Sequence, residues 1–209
     1  MKKAVIFDMD GVLVDSEQFY FKRRMKFFDE LKIEPATRKI QDFVGLSNDM
    51  IWRMMVPHDG GKRKILKERY FNYSKEHEVY FPEVLKPSVK EVFRKLKDKN
   101  LKIAIASSSE KGEILRMARE CELDSYVDFV ISGEECTNSK PDPEVYIKAV
   151  NTLEILPTEG LAVEDSVLGI RAAKSAELKV AALVPQDYSM DQSEADYQID
   201  DLIELIELI

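Results

Sequence analysis

Val5-Ile6-Phe7-Asp8-Met9-Asp10-Gly11-Val12-Leu13-Val14-Asp15-Ser16 is the stretch that decides the fold. An apolar run stops abruptly in two aspartates with one residue between them, followed by a glycine. Residues two apart on a strand point to the same face, so Asp8 and Asp10 can reach one site at the end of a buried strand. The apolar residues build the strand, and Gly11 lets the chain turn sharply. Two carboxylates held close repel each other and need a cation, a shared proton or distinct roles. A hard cation such as Mg²⁺ suits oxygen ligands and is commonly bound together with a phosphate. Alone, the same residues read equally as a solvated acidic turn.

The chain has 209 residues, enough for a sizeable core in one domain or in one domain with an insertion. Its hydrophobic content of 44% and charged content of 33% are those of an ordinary globular protein. A net charge of −8 disfavours nucleic acid and anionic membranes as partners. Cys121 and Cys136 have no metal-ligand spacing and read as reduced thiols with a structural role. The first apolar stretch is broken by Asp8, unlike a signal peptide, and no run is long enough for a membrane span. A cytoplasmic protein is expected.

From residue 84 onward, short apolar runs alternate with amphipathic segments. Strands are expected at 101–106, 129–131, 161–163 and 180–184, and helices at 87–99, 110–121, 143–154, 167–177 and 200–208. Together with the first run this predicts an α/β fold, a doubly wound, Rossmann-like parallel sheet covered on both faces. Such sheets bind ligands beyond the carboxyl ends of the strands, where Asp8 sits. Residues 17–80 differ. Phe19, Tyr20, Met25, Phe27, Phe28 and Leu31 fall at helical spacing, Ile51, Trp52, Met54 and Met55 form a second apolar patch, and no strand is evident. This predicts an all-helical insertion over 17–80 between the first strand and the rest of the sheet, dividing the chain into 1–16 with 81–209 and the inserted 17–80. The Met and aromatic stripe reads as the insertion's own core. The acidic stretch at 187–201 reads as a loop with a short last strand at Tyr197 and Ile199.

Three further elements fall at strand ends. Ser107-Ser108-Ser109 offers hydroxyls and backbone N–H groups to an anion, or a simple helix cap by Ser109. In Ser139-Lys140-Pro141-Asp142-Pro143, Lys140 precedes a proline and is held off the next helix, whose first turn suits Pro143. Such an ammonium can neutralise a phosphate; a lone surface lysine is the alternative. Glu164-Asp165-Ser166 again puts two acids at a strand end, where a capping aspartate is the alternative. The coincidence of all four elements at strand ends favours an anion site with a divalent metal.

In this order, Asp-x-Asp-Gly, strand-end Ser, Lys-Pro-x-Pro and Glu-Asp-Ser resemble the haloacid dehalogenase superfamily over nearly the whole chain. The resemblance is nearest to the subgroup of β-phosphoglucomutase and small sugar-phosphate phosphatases, which carries a helical cap after the first motif. It implies that Asp8 is a nucleophile forming an aspartyl phosphate and Asp10 the general acid, then base, with its pKa raised by an acidic neighbourhood. It implies that Ser107, Ser108 and Lys140 bind the phosphoryl group. Asp8, the carbonyl of Asp10 and Asp165 would hold Mg²⁺, with Glu164 either a direct ligand or a support behind the ligands. Tyr20, Gly45, Ser47 and Asn48 are the candidate substrate residues of the cap. The mutase branch has an arginine where Asn48 stands and a histidine where Tyr20 stands. Asn cannot replace an arginine fork. Lys22 or Lys75 is a possible substitute. Glu177 stands where relatives place a helix-ending glycine. The expectation is a Mg²⁺-dependent phosphatase of small phosphorylated metabolites, acting as a monomer or weak dimer with hinges near 15–17 and 80–84. A phosphosugar mutase and a non-catalytic phosphate-binding regulator are the rivals.

Overall fold

A computed structural model describes residues 2–44, 46–186 and 189–209. Six strands form one parallel sheet: β1 (Ala4–Phe7), β2 (Lys102–Ser107), β3 (Phe129–Ser132), β4 (Gly160–Glu164), β5 (Lys179–Leu183) and β6 (Tyr197–Ile199). Their order is β3-β2-β1-β4-β5-β6. β1 lies at the centre, with Phe7 registered against Ile105 of β2 and Val163 of β4. The carboxyl ends of β2, β1 and β4 are therefore neighbours at the switch in strand order, where doubly wound sheets take ligands.

Strand residues of alternate parity enter two cores. Val5, Phe7, Ile103 and Ile105 pack with Val92, Phe93 and Leu96 of α5 (Val89–Asp98) and Ile114 and Met117 of α6 (Lys111–Glu120). Ala4, Ile6, Ala104 and Ala162 pack with Tyr146 and Ala149 of α7 (Glu144–Thr152) and Ile170 and Ala173 of α8 (Val167–Ser175). Residues 17–80 hold α1 (Glu17–Glu30), α2 (Asn48–Met55) and α3 (Gly60–Glu76), with no strand among the described residues. These helices close around a separate apolar cluster that includes Phe27, Phe28, Trp52, Met55, Leu66 and Tyr70. The short α4 (Phe81–Val84) leads back to the sheet.

Two local expectations are corrected. The last segment is a 3-10 helix over Leu202–Glu207 rather than an α-helix, and its two buried residues, Leu202 and Leu205, are three apart, the spacing that 3-10 geometry aligns. Pro143 occupies the cap position ahead of α7, not its first turn.

Helix exits follow a common pattern. Lys32, Asn100, Glu122, Glu154 and Glu177 all have φ between 52° and 61°, directly after α1, α5, α6, α7 and α8. At α8, Glu177 N–H donates to Lys174 O (2.9 Å) and Leu178 N–H reaches back to Ala173 O (3.1 Å). The same pair of bonds recurs at the other four, and an apolar residue follows each time: Ile33, Leu101, Leu123, Ile155 and Leu178. The chain makes Schellman closures without glycine and bears the left-handed strain in polar residues.

Candidate active site

Asp8 follows the last residue of β1, and its N–H donates to Val163 O at 2.9 Å, extending the ladder by one residue. Its Oδ1 accepts from Lys140 Nζ at 2.6 Å. Lys140 is only 5% exposed, so it is not a surface lysine. It also donates to Glu164 Oε1 (2.6 Å) and Ala106 O (3.1 Å). Glu164 has no solvent exposure. Its Oε1 further accepts from Tyr146 O–H at 2.5 Å, and its Oε2 from Ser166 O–H at 3.3 Å. Ser166, rather than Asp165, caps α8, accepting from Gly169 N–H. Asp165 is left with a buried Oδ2 that has no hydrogen-bond partner.

Asp8, Glu164 and Asp165 bring carboxylate oxygens within 4.8 Å of one another. Three carboxylates against the single ammonium of Lys140 would, if all were ionised, bury an excess of two negative charges. Burial first, then the Glu164 and Asp10 charges, push the Asp8 carboxyl well above its ordinary range, although Lys140 pulls it down. Asp165 is raised well above by burial, then by Glu164 and Asp8. Burial alone would lower Lys140, but Asp8 and Glu164 hold its ammonium well above the usual lysine value. This donor set fits a hard divalent cation: all oxygen, an excess of two charges, and an orphaned oxygen on Asp165. The space is shaped for it, because a Cβ on Gly11 (φ +82°) would lie 2.1 Å from Asp165 Oδ2.

Asp10 stands apart from this cluster. It accepts from Ser16 O–H at a short distance and from Ser109 O–H at 2.5 Å. Its carboxyl is raised by burial, against the lowering effect of both hydroxyls and of Arg24. The expected elevation is present, but its cause is desolvation rather than neighbouring acids. Ser109 is consequently not the cap of α6, a position held by Glu110. Ser107, 1% exposed, accepts from Ser109 N–H at 3.1 Å.

These groups face a cavity of about 430 Å³ between the sheet end and α1–α3. Asp8, Asp10, Ser107, Ser108 and Lys140 line its floor, while Tyr20 and Asn48 line its helical side. Tyr20 O–H donates to Glu113 at 3.2 Å. Ser47 caps α2 by accepting from Met50 N–H and does not face the cavity. Gly45 lies outside the described residues. Of the two lysines considered for the helical side, Lys75 lines the cavity and Lys22 does not. Several contributors escaped the sequence reading: Tyr146, Ser16, Gly169 and Arg24. Gly169 had a signal, since a glycine within a helix suggests close approach. A Cβ there would lie 2.0 Å from the Glu164 carboxylate.

Comparison with known proteins identifies the family. The family model of haloacid dehalogenase-like hydrolases matches residues 5–183. A phosphorylated carbohydrates phosphatase of Thermotoga maritima is 34% identical over 191 residues, covering 85% of this chain and 82% of that protein. Hexitol phosphatase B of Escherichia coli is 30% identical over 209 residues, covering 97% of this chain and 93% of that protein. The crystal structure of β-phosphoglucomutase from Clostridium difficile shares the fold, with a TM-score of 0.82 at 21% identity over 98% of this chain and 93% of that one. No helix among the described residues is long and apolar enough to cross a membrane. The chain belongs to the haloacid dehalogenase-like hydrolases and is a phosphohydrolase of that family.

Proposed function

We propose that the protein is a Mg²⁺-dependent phosphatase of small phosphorylated metabolites, chiefly sugar phosphates, acting through an aspartyl phosphate. The observation that carries this reading is the division between the two aspartates. Burial raises both carboxyls, but Asp8 faces Lys140 and two other carboxylates, whereas Asp10 faces two serine hydroxyls. Environments that separate two carboxyl groups in this way assign them different roles. The substrate class rests on the two phosphatase relatives.

In this reading an Asp8 carboxylate oxygen bonds to phosphorus as the bond to the leaving oxygen breaks. Asp10 gives that oxygen its proton. Asp10 then takes a proton from water, whose oxygen attacks phosphorus and breaks the Asp8–phosphate bond, releasing phosphate. Lys140 and the hydroxyls and N–H groups of Ser107 and Ser108 stabilise the phosphoryl oxygens. Asp8, the Asp10 carbonyl and Asp165 would hold Mg²⁺, with Glu164 anchoring Lys140 beside them. The bound cation supplies the charge that lets an anionic nucleophile approach an anionic phosphate. Residues 17–80 act as a cap that excludes water and selects substrate, moving on 15–17 and 80–84.

The test is phosphate release from a panel of sugar phosphates, with and without Mg²⁺. The expected result is Mg²⁺-dependent release that Asp8→Asn abolishes while its circular dichroism stays native. Appreciable turnover by Asp8→Asn would remove Asp8 from the nucleophile's role. Isomerised ester without free phosphate would replace the phosphatase by a mutase.

A further inference from the structure

Arg24 of α1 is a buried cation with no evident purpose in the fold. It is 9% exposed and lines the cavity. Its Nε finds no hydrogen-bond partner, and no carboxylate pairs with it among the described residues. Its guanidinium is held between two rings, 5.9 Å from the centroids of both Tyr20 and Tyr70. The neighbouring cations are already engaged. Arg23 donates to Tyr70 O–H and to His77 O, both at 2.9 Å. Lys67 pairs with Asp49, and Arg116 with Glu120 and Glu113. Lys75, 4.1 Å from the Phe71 ring centroid on the same wall, has no carboxylate partner among the described residues either.

A desolvated guanidinium without an anion is costly to keep. Asp10 acts on it only through space, since serine hydroxyls occupy the Asp10 oxygens and no carboxylate among the described residues bonds to the guanidinium. The missing counter-charge must then come from what enters the cavity. We propose that Arg24 binds a carboxylate on the part of the substrate remote from the phosphate, so that the preferred substrates are phosphorylated sugar acids. One fixed guanidinium fork matches one planar carboxylate by two parallel N–H bonds. The same fork can hold a phosphate, which a bisphosphate competitor distinguishes from a carboxylate. The proposal rests on the phosphatase reading above and sharpens its substrate class.

The matched pair of 6-phosphogluconate and sorbitol 6-phosphate tests it, because the two differ only in carboxylate against hydroxymethyl. Wild-type kcat/KM should favour the acid by about 30-fold or more, the range for a desolvated charge pair. Arg24→Met should collapse that ratio to near unity, and Lys75→Gln, at an exposed position, should reduce it by a smaller factor. Affinities of both esters for Asp8→Asn, measured by calorimetry with and without Arg24→Met, read the same ratio without turnover and reveal a misfolded variant. Equal use of the two esters, or a preference that survives Arg24→Met, overturns the carboxylate subsite and leaves the phosphatase reading intact. Fructose 1,6-bisphosphate outcompeting the sugar acid through Arg24 also overturns it, in favour of a phosphate. Absence of turnover on every ester overturns the phosphatase reading, and the calorimetric ratio then judges the subsite alone.

Discussion

Lys140→Met isolates the electrostatics of the site. Methionine keeps most of the side-chain volume and removes the ammonium that binds Asp8 and Glu164, each at 2.6 Å. The buried excess rises from two negative charges to three. Removing one partner of a buried ion pair costs about 3–5 kcal/mol. In a chain of this size that lowers Tm by roughly 6–20 °C. The loss must depend on pH, because the abandoned carboxylates can bind protons. Each extra proton held by the folded variant makes its deficit grow by about 1.4 kcal/mol per pH unit. Urea and thermal unfolding at pH 6 and pH 8, with and without Mg²⁺, measure this. The deficit should be larger at pH 8, and Mg²⁺ should recover more stability in the variant than in the wild type, since a divalent ion replaces part of the lost charge. A wild-type Tm at pH 8 without metal would refute the buried ion network. A deficit equal at both pH values would refute its electrostatic origin and leave packing as the cause.

The metal-free wild type should itself lose stability as pH rises above the ordinary carboxyl value of 3.8, because Asp8, Asp10 and Asp165 hold protons more tightly folded than unfolded. Mg²⁺ at a hundredfold excess over Kd should return about 2.7 kcal/mol, roughly 5–11 °C in Tm, and a flat thermal-shift response would contradict the cation site. Gly169→Ala should displace the Glu164 carboxylate, 2.0 Å from the new Cβ, and lower kcat by about tenfold or more through Lys140; an unchanged kcat would free Glu164 of any such role. Glu177→Gly should raise stability, by up to about 1 kcal/mol in denaturant titration, by relieving φ 61° at the exit of α8. At Asp196, burial acts upward, but the Lys174 and Lys179 ammonium groups and the Val180 N–H hold its carboxyl down to about 2. Asp196→Asn should therefore cost about 1–2 kcal/mol at pH 7, a difference that disappears in acid titration as pH falls from 3.8 to about 2.

The sheet was legible because its strands are short, apolar and bounded, and every one of them sits within a residue or two of its expected place. The four motifs were legible for a related reason. Three lie where an apolar strand ends, so their polar residues had nowhere to go but the ligand-binding edge, and the loop between β3 and α7 brings Lys140 back to it. What escaped was anything fixed by partners distant in sequence. Tyr146 looks like an apolar helix residue, yet its hydroxyl is consumed by Glu164. Arg24 looks like the polar face of an amphipathic helix whose other face is Met25, Phe27 and Phe28. The sequence cannot reveal that this polar face meets a cavity rather than solvent. Helix exits were hidden too, because Glu122, Glu154 and Glu177 do the work usually marked by glycine. Their signature is the following Leu or Ile, which packs back onto the helix.

The pair Asp8 and Asp10 shows how far a spacing argument reaches. Two-residue spacing implied a shared site and mutual influence, and both hold: the two line one cavity and the Asp10 charge raises Asp8. What the spacing did not give is the division of partners, Asp10 with Ser16 and Ser109 and Asp8 with Lys140. In the metal-free protein Asp8 is the more strongly raised of the two, which at first opposes its proposed role as an anionic nucleophile. The causes resolve the conflict. Asp8 is raised by desolvation and by Glu164 and Asp10, charges that a divalent cation at the three-carboxylate cluster would outweigh, inverting the local order. Asp10 lies outside that cluster, and its shift comes from burial beneath the cavity, which a substrate closing over it deepens. A cation held by the three carboxylates would therefore favour ionised Asp8, while the Asp10 carboxyl would keep the upward shift that burial gives it, and in the proposed mechanism that difference separates the two roles.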